Sequence, residues 1–155
     1  MENHEVTEIE NKKSSFRRYR KNLACIERLE EKLILLTERI NSVRSPNLSG
    51  MPRGSTPITV EDLIGDKEEL EQRLNRLRTK TRQLKQEILS EIDTLEDERY
   101  CEILEAHFIE GLTLERIADR MGYTERYIYQ LYKKALVILT KNNKTISVKY
   151  HKVDS

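Results

Sequence analysis

The chain is 155 residues long and 35% charged, yet 28 Lys and Arg against 27 Asp and Glu leave a formal net charge of only +1. Hydrophobic residues make up 37% of it, and adding glycine still leaves it under the ~45–50% apolar share of compact domains, which implies much surface and one or two small domains. No apolar run approaches the ~18–20 residues that span a bilayer, and Met1-Glu2-Asn3-His4-Glu5 lacks the layout of a secretory signal, so the expected compartment is the cytoplasm.

The first element is a helical stripe at Phe16, Tyr19, Leu23, Ile26, Leu29, Leu33, Leu36 and Ile40. Its three- and four-residue steps suit packing against another helix, and Ser14 or Ser15 is the expected cap. All three prolines then fall in a connector over 41–58. A second stripe follows at Leu63, Leu70, Leu74, Leu77, Leu84, Ile88, Ile92 and Leu95, with Lys67 and Thr81 in its gaps, Thr59 as cap and Asp62 three residues on. Neither stripe can hide alone. The two helices close either as an antiparallel hairpin within one chain or as a coiled coil between chains, and periodicity does not separate these.

Charge along this region, 1–92, comes in blocks. Lys12, Lys13, Arg17, Arg18, Arg20 and Lys21 form a run without an acid, as do Arg73, Arg76, Arg78, Lys80, Arg82 and Lys85; acidic stretches lie between them. A hairpin closed symmetrically about the connector would set basic against basic and acidic against acidic. It would leave an electropositive end for a polyanion.

From Asp93 the pattern shifts to short helices separated by turn residues. Asp93 or Thr94 is the expected cap of a supporting helix through Ile109 that stops at Gly111; Thr113 caps a short helix ending at Met121-Gly122, and Thr124 caps a third running to about Thr140. Ile117, small Ala118, Met121, Gly122, Ile128 and Leu131 have the residue types and offsets of a helix-turn-helix over 93–140, with glycine where a positive φ costs least. Stepping ~100° per residue puts Ile128, Leu131, Ala135 and Ile138 on a buried side of the recognition helix, 124–140, and Arg126, Tyr129, Gln130 and Lys133 opposite. Arg and Gln pair bidentately with guanine and adenine, Glu125 can accept from cytosine, and lysine or tyrosine reaches phosphates. Thr124 at the helix start and Lys134 on its flank complete the expected DNA-binding set. Tyr123 is assigned to the core, and Tyr127, Tyr132 and Lys134 flank the stripe, where they are expected to touch the DNA backbone or neighbouring helices. Beyond the helix, 141–155 is a basic tail in which the alternation of 145–150 suits a short strand or an irregular arm.

The residues Ile92 through Tyr100, Gly111 through Ala118, Gly122-Tyr123-Thr124 and Gln130 through Leu136 resemble region four of bacterial sigma factors, a module that binds the promoter −35 element. With a charged helical N-terminal half and the Ser49-Gly50-Met51-Pro52-Arg53-Gly54 connector, the layout is similar to the ArpU/RinA-like transcriptional regulators of phages and prophages. That resemblance implies an all-α protein, a long helical hairpin or coiled coil followed by a three-helix DNA-binding domain, working in a bacterial host cell. It places Glu125, Arg126 and Gln130 where sigma factors read bases, and departs from them at Tyr127 and Tyr129, where basic residues are usual. The implied partners are double-stranded DNA, host RNA polymerase and a second copy of the chain as a homo-oligomer, a dimer first. The competing expectations are a small terminase-like DNA-packaging protein and a coiled-coil adaptor contacting RNA polymerase.

An enzyme is not expected. His4, His107 and His151 have no nucleophile or metal spacing around them, and Cys25 and Cys101 make neither a zinc site nor a disulfide framework, reading instead as small buried apolar residues. No cofactor and no metal are expected.

Overall fold

The computed structural model describes residues 2–44 and 58–153, with side chains through 145. Among the described residues there are five helices and no strand: α1 (Glu2–Arg44), α2 (Val60–Ile92), α3 (Glu98–Phe108), α4 (Leu114–Met121) and α5 (Glu125–Val153). The all-α architecture, a long N-terminal helical region followed by a helix-turn-helix, is the expected one. Of the connector expected over 41–58, 41–44 is the last turn of α1, and 45–57 lies outside the described residues.

Two helix boundaries differ from expectation. α1 begins at Glu2, with Ser14 and Ser15 in its interior and no cap role. No glycine or proline stands in 1–44, so nothing stops the helix from extending past its apolar stripe. α5 continues as helix to Val153, which replaces the strand or irregular arm expected for 145–150. An alternating pattern of so few residues also fits a helix already under way, because propagation adds a hydrogen bond per residue without a new nucleus.

The chain divides into two compact units. One, Asn22–Thr81, is a helical pair. Leu29 and Ile40 of α1 and Leu63 and Leu74 of α2 are buried, and Thr81 is buried in the stripe with its hydroxyl donating to Leu77 O at 2.6 Å. Thr59 and Asp62 start α2 with reciprocal bonds of 3.2 and 3.4 Å, so two of the free N–H groups at the helix start are satisfied. Arg78 donates to Glu30 at 2.6 Å, and Lys32, Leu36, Asp66, Glu69, Leu70 and Arg73 line one groove. The hairpin therefore closes within one chain. The charge pairing also differs from expectation, since the acid Glu30 faces the basic run rather than another acid. Its physical reason is where the helices end: α1 runs to Arg44 and α2 begins at Val60, so the register lies several residues beyond the one assumed from a connector over 41–58.

The other unit comprises Met1–Lys21 and Arg82–Ser155. Its core is Phe16, Tyr19, Ile88, Ile92, Leu95, Ile103, Leu104, Ala106, Phe108, Ile117, Ala118, Ile128, Leu131, Tyr132, Ala135, Leu136 and Leu139. The compact body around the helix-turn-helix is thus larger than 93–140. The start of α1 enters it through Phe16, whose ring meets Phe108 edge-on at 5.2 Å. Lys12 is held at 2.7 Å by Glu91 of α2, and Asn143 of α5 donates to the same carboxylate at 3.2 Å. Glu8 pairs with Lys144 at 2.9 Å.

Candidate nucleic-acid interface

The turn between α4 and α5 is built by three short-range devices. Thr113 Oγ1 accepts from Arg116 N at 3.3 Å at the start of α4. Gly122 ends α4 with φ 73°, in the left-handed region, and the Tyr123 N–H donates to Ala118 O at 3.0 Å. Thr124 Oγ1 accepts from Tyr127 N at 3.2 Å and starts α5. Nothing lies within 4 Å of a Cβ placed on Gly122, so glycine is required there by backbone conformation and not by crowding. The supporting helix α3 is capped by Asp97, whose carboxylate accepts from Arg99 N at 2.9 Å, in place of Asp93 or Thr94. Thr94 instead closes α2, donating to Glu91 O at 2.6 Å. Asp97 wins because α3 begins only after the bend over 93–97.

Ile117, Ala118, Ile128, Leu131 and Ala135 are all buried, as their offsets require. Met121 and Ile138 are half-buried instead of fully enclosed. Leu136, Leu139 and Tyr132 are buried as well, and Tyr132 lies against Phe108 of α3 and under Lys13 of α1.

All seven residues expected to bind DNA, Thr124, Glu125, Arg126, Tyr129, Gln130, Lys133 and Lys134, are exposed. Arg126, Tyr129, Gln130 and Lys133 fall within about 100° of one another on α5. Lys133 Nζ sits 5.0 Å over the Tyr129 ring, which orders both side chains on the outer surface. Tyr123 is a correction: it is 40% exposed, stacked edge-on with Tyr127 at 5.1 Å, not in the core. It follows the left-handed Gly122, which turns the chain outward before α5 begins. Tyr127 is half-buried, its hydroxyl accepting from Arg99 Nη1 at 3.0 Å. Arg99 also grips Asp97 at 2.8 Å, and that hydrogen bond holds the Asp97 carboxyl below the usual carboxylate range. One Arg side chain thereby ties the cap of α3 to the recognition helix.

Tyr132, expected to touch the DNA backbone or neighbouring helices, meets neighbouring helices: it is buried between His107, Phe108 and α1, and burial pushes its phenol up. His107 packs against it at 5.2 Å with Nδ1 2.8 Å from Leu112 O. Cys25 and Cys101 are half-buried, not buried. The Cys101 thiol donates to Ile92 O and Leu95 O at 3.4 and 3.5 Å, and burial pushes it up, so it fastens the end of α2 as a protonated group.

The basic run of α1, read from the sequence as part of an electropositive end for a polyanion, lies beside this surface, a neighbour that sequence reasoning did not assign to it. Lys13 Nζ lies 5.8 Å over the Tyr132 ring, and the Arg17 guanidinium lies beside the Tyr132 hydroxyl. Arg20 donates to Ile109 O at 3.3 Å and covers Gly111, where a Cβ would meet the guanidinium at 2.6 Å. The signal was available in the acid-free run from Lys12 to Lys21, but its position next to α5 depends on a tertiary contact.

No helix among the described residues is long and apolar enough to cross a membrane. No curated protein and no solved structure matches the chain. Residues 93–141, spanning the supporting helix, the turn and most of the recognition helix, match the family model of sigma-70, region 4, and are a helix-turn-helix of that kind, which suits binding to DNA.

Proposed function

We propose that the protein is a sequence-specific DNA-binding regulator of transcription, acting on phage or prophage genes in the cytoplasm of a bacterial host. The observation that carries this reading is the exposed face of α5, where Arg126, Tyr129, Gln130 and Lys133 stand opposite the buried stripe in a helix-turn-helix with a left-handed glycine at its turn. Such a face enters the major groove, with bidentate Arg and Gln supplying base readout and Lys133, Lys134 and the Thr124 hydroxyl at the helix start supplying phosphate contacts. Glu125 accepts from a cytosine at the edge of the site. Neither a cofactor nor a catalytic step enters this function.

The likeness to sigma region four supports host RNA polymerase as a second partner, with the acidic outer side of α3 (Glu98, Glu102, Glu105) as the surface opposite in sign to the recognition helix. A homo-oligomer, a dimer first, would read two half-sites about one helical turn apart or multiples of it.

Selection of bound duplexes from a randomised library tests the reading. The expected outcome is a defined motif with one or two half-sites, and Arg126→Ala should cost about 1–3 kcal/mol and relax one base position. Recovery of no motif, with equal affinity of mutant and parent across the library, would count against it.

A further inference from the structure

The first turns of α1 are docked on the same compact unit as the recognition helix, and the direction of the docking decides which of their charges face outward. Taking Phe16 as the point of contact with Phe108, steps of ~100° per residue put Lys12, Tyr19 and Arg20 on the docked side. Each is in fact held there: Lys12 by Glu91, Tyr19 by burial and Arg20 by Ile109 O and Gly111. Lys13, Arg17 and Lys21, spaced i, i+4 and i+8, form a row along one flank of the helix. Lys13 and Arg17 both lie beside Tyr132 of α5, which is one turn from the exposed Tyr129 and next in the chain to the exposed Lys133. Arg17 and Lys21 are exposed, and the one acid on that flank, Glu10, is paired with Lys13 at 2.8 Å. Arg18, equally exposed, points to the side away from Phe16.

We propose that Arg17 and Lys21, with Lys13 at the head of the row, form a second phosphate-binding strip that continues the α5 surface and clamps the duplex backbone beside the groove α5 enters. This rests on the DNA-binding reading and adds residues outside the sigma-like region to it. Long flexible cations on a rigid helix suit this task, because phosphate contacts need charge within reach and not a particular base-edge geometry. The half-buried Lys13 fixes the row's direction, and the exposed Arg17 and Lys21 supply the contacts.

The test is titration of the full chain on a mixed-sequence duplex by fluorescence anisotropy between about 50 and 200 mM salt. The double variant Arg17→Ala/Lys21→Ala should weaken binding at least tenfold at the low-salt end and reduce the slope of log K against log salt by about two, one for each lost phosphate. Arg18→Ala should leave slope and affinity at the parent's values, and the charge-preserving Arg17→Lys/Lys21→Arg should restore the slope. Both substituted side chains are exposed, and an unchanged melting temperature verifies that the unit is folded. A double variant with the parent's slope, or an Arg18→Ala loss as large as that of the double variant, would overturn the strip while leaving the α5 reading intact. Failure of the parent chain to bind any duplex at low salt would overturn both.

Discussion

Gly122 is the residue on which the angle between α4 and α5 turns. Its φ of 73° places an L side chain in the left-handed region, where Cβ crowds the following carbonyl. With no neighbour within 4 Å, Gly122→Ala isolates that backbone term and should destabilise the protein by about 1–2 kcal/mol in denaturant unfolding. An unchanged midpoint would mean that the turn relaxes to another conformation. Asp97 makes a different prediction. Its carboxyl titrates lower in the folded chain, through its bonds to the Arg99 side chain and backbone N–H, so the folded state binds fewer protons than the unfolded one. The stabilisation is complete above the unfolded value near pH 4 and is lost as pH falls through the folded value. Asp97→Asn should therefore remove part of the acid-side decline in melting temperature below about pH 4 and leave neutral stability lowered by the weaker cap. A parent and variant with parallel pH profiles would show that the carboxylate contributes no such linkage.

At the scale of elements, α1 is a helix of 43 residues, about 64 Å long, whose stripe serves two different packings. Leu29 and Ile40 are buried in the helical pair, whereas Phe16 and Tyr19 belong to the unit that holds the helix-turn-helix. The Phe16 ring is 1% exposed and meets Phe108 at right angles, so Phe16→Ala leaves a cavity in that unit and should cost about 3–5 kcal/mol, read by chemical unfolding. A loss below about 1 kcal/mol, the range typical of exposed positions, would show that the start of α1 adds nothing to the core. The periodic stripe was legible from spacing, but no spacing rule separates Phe16 and Tyr19 from Leu29 and Ile40. They are distinguished by the unit they join, the one that holds the helix-turn-helix in one case and the helical pair in the other.

Over the whole chain, a net charge of +1 is a sum of opposed regions. Residues 113–155 carry nine basic and four acidic groups, whereas residues 91–110 carry eight acids and one arginine. The acids lie on and around the supporting helix, and the bases on α4 and α5. Affinity for DNA is thus expected to depend steeply on salt in spite of the near-neutral total. The stripe of each long helix is used inside one chain, so a second copy has to meet other side chains. Ile34 and Leu35, 58% and 64% exposed on the helical pair, are available for that. Native mass should give a dimer, and a ring of eight or more subunits would favour the packaging role over regulation.

What the sequence determined alone were the features governed by local rules. Apolar spacing defined the helices, Thr113, Thr124 and Thr59 marked three of their starts, Gly122 marked the turn, and the 100° step put Arg126, Tyr129, Gln130 and Lys133 outside. Each of these depends on residues within four or five positions, the reach of a helical turn. Only the tertiary structure decided the rest: that Glu30 meets Arg78, that Tyr132 is buried, that Arg99 reaches the Tyr127 hydroxyl, and that the basic start of α1 lies beside α5. Those outcomes depend on the register and contact of segments separated by tens of residues, and a local pattern carries no information about which distant surface will cover it.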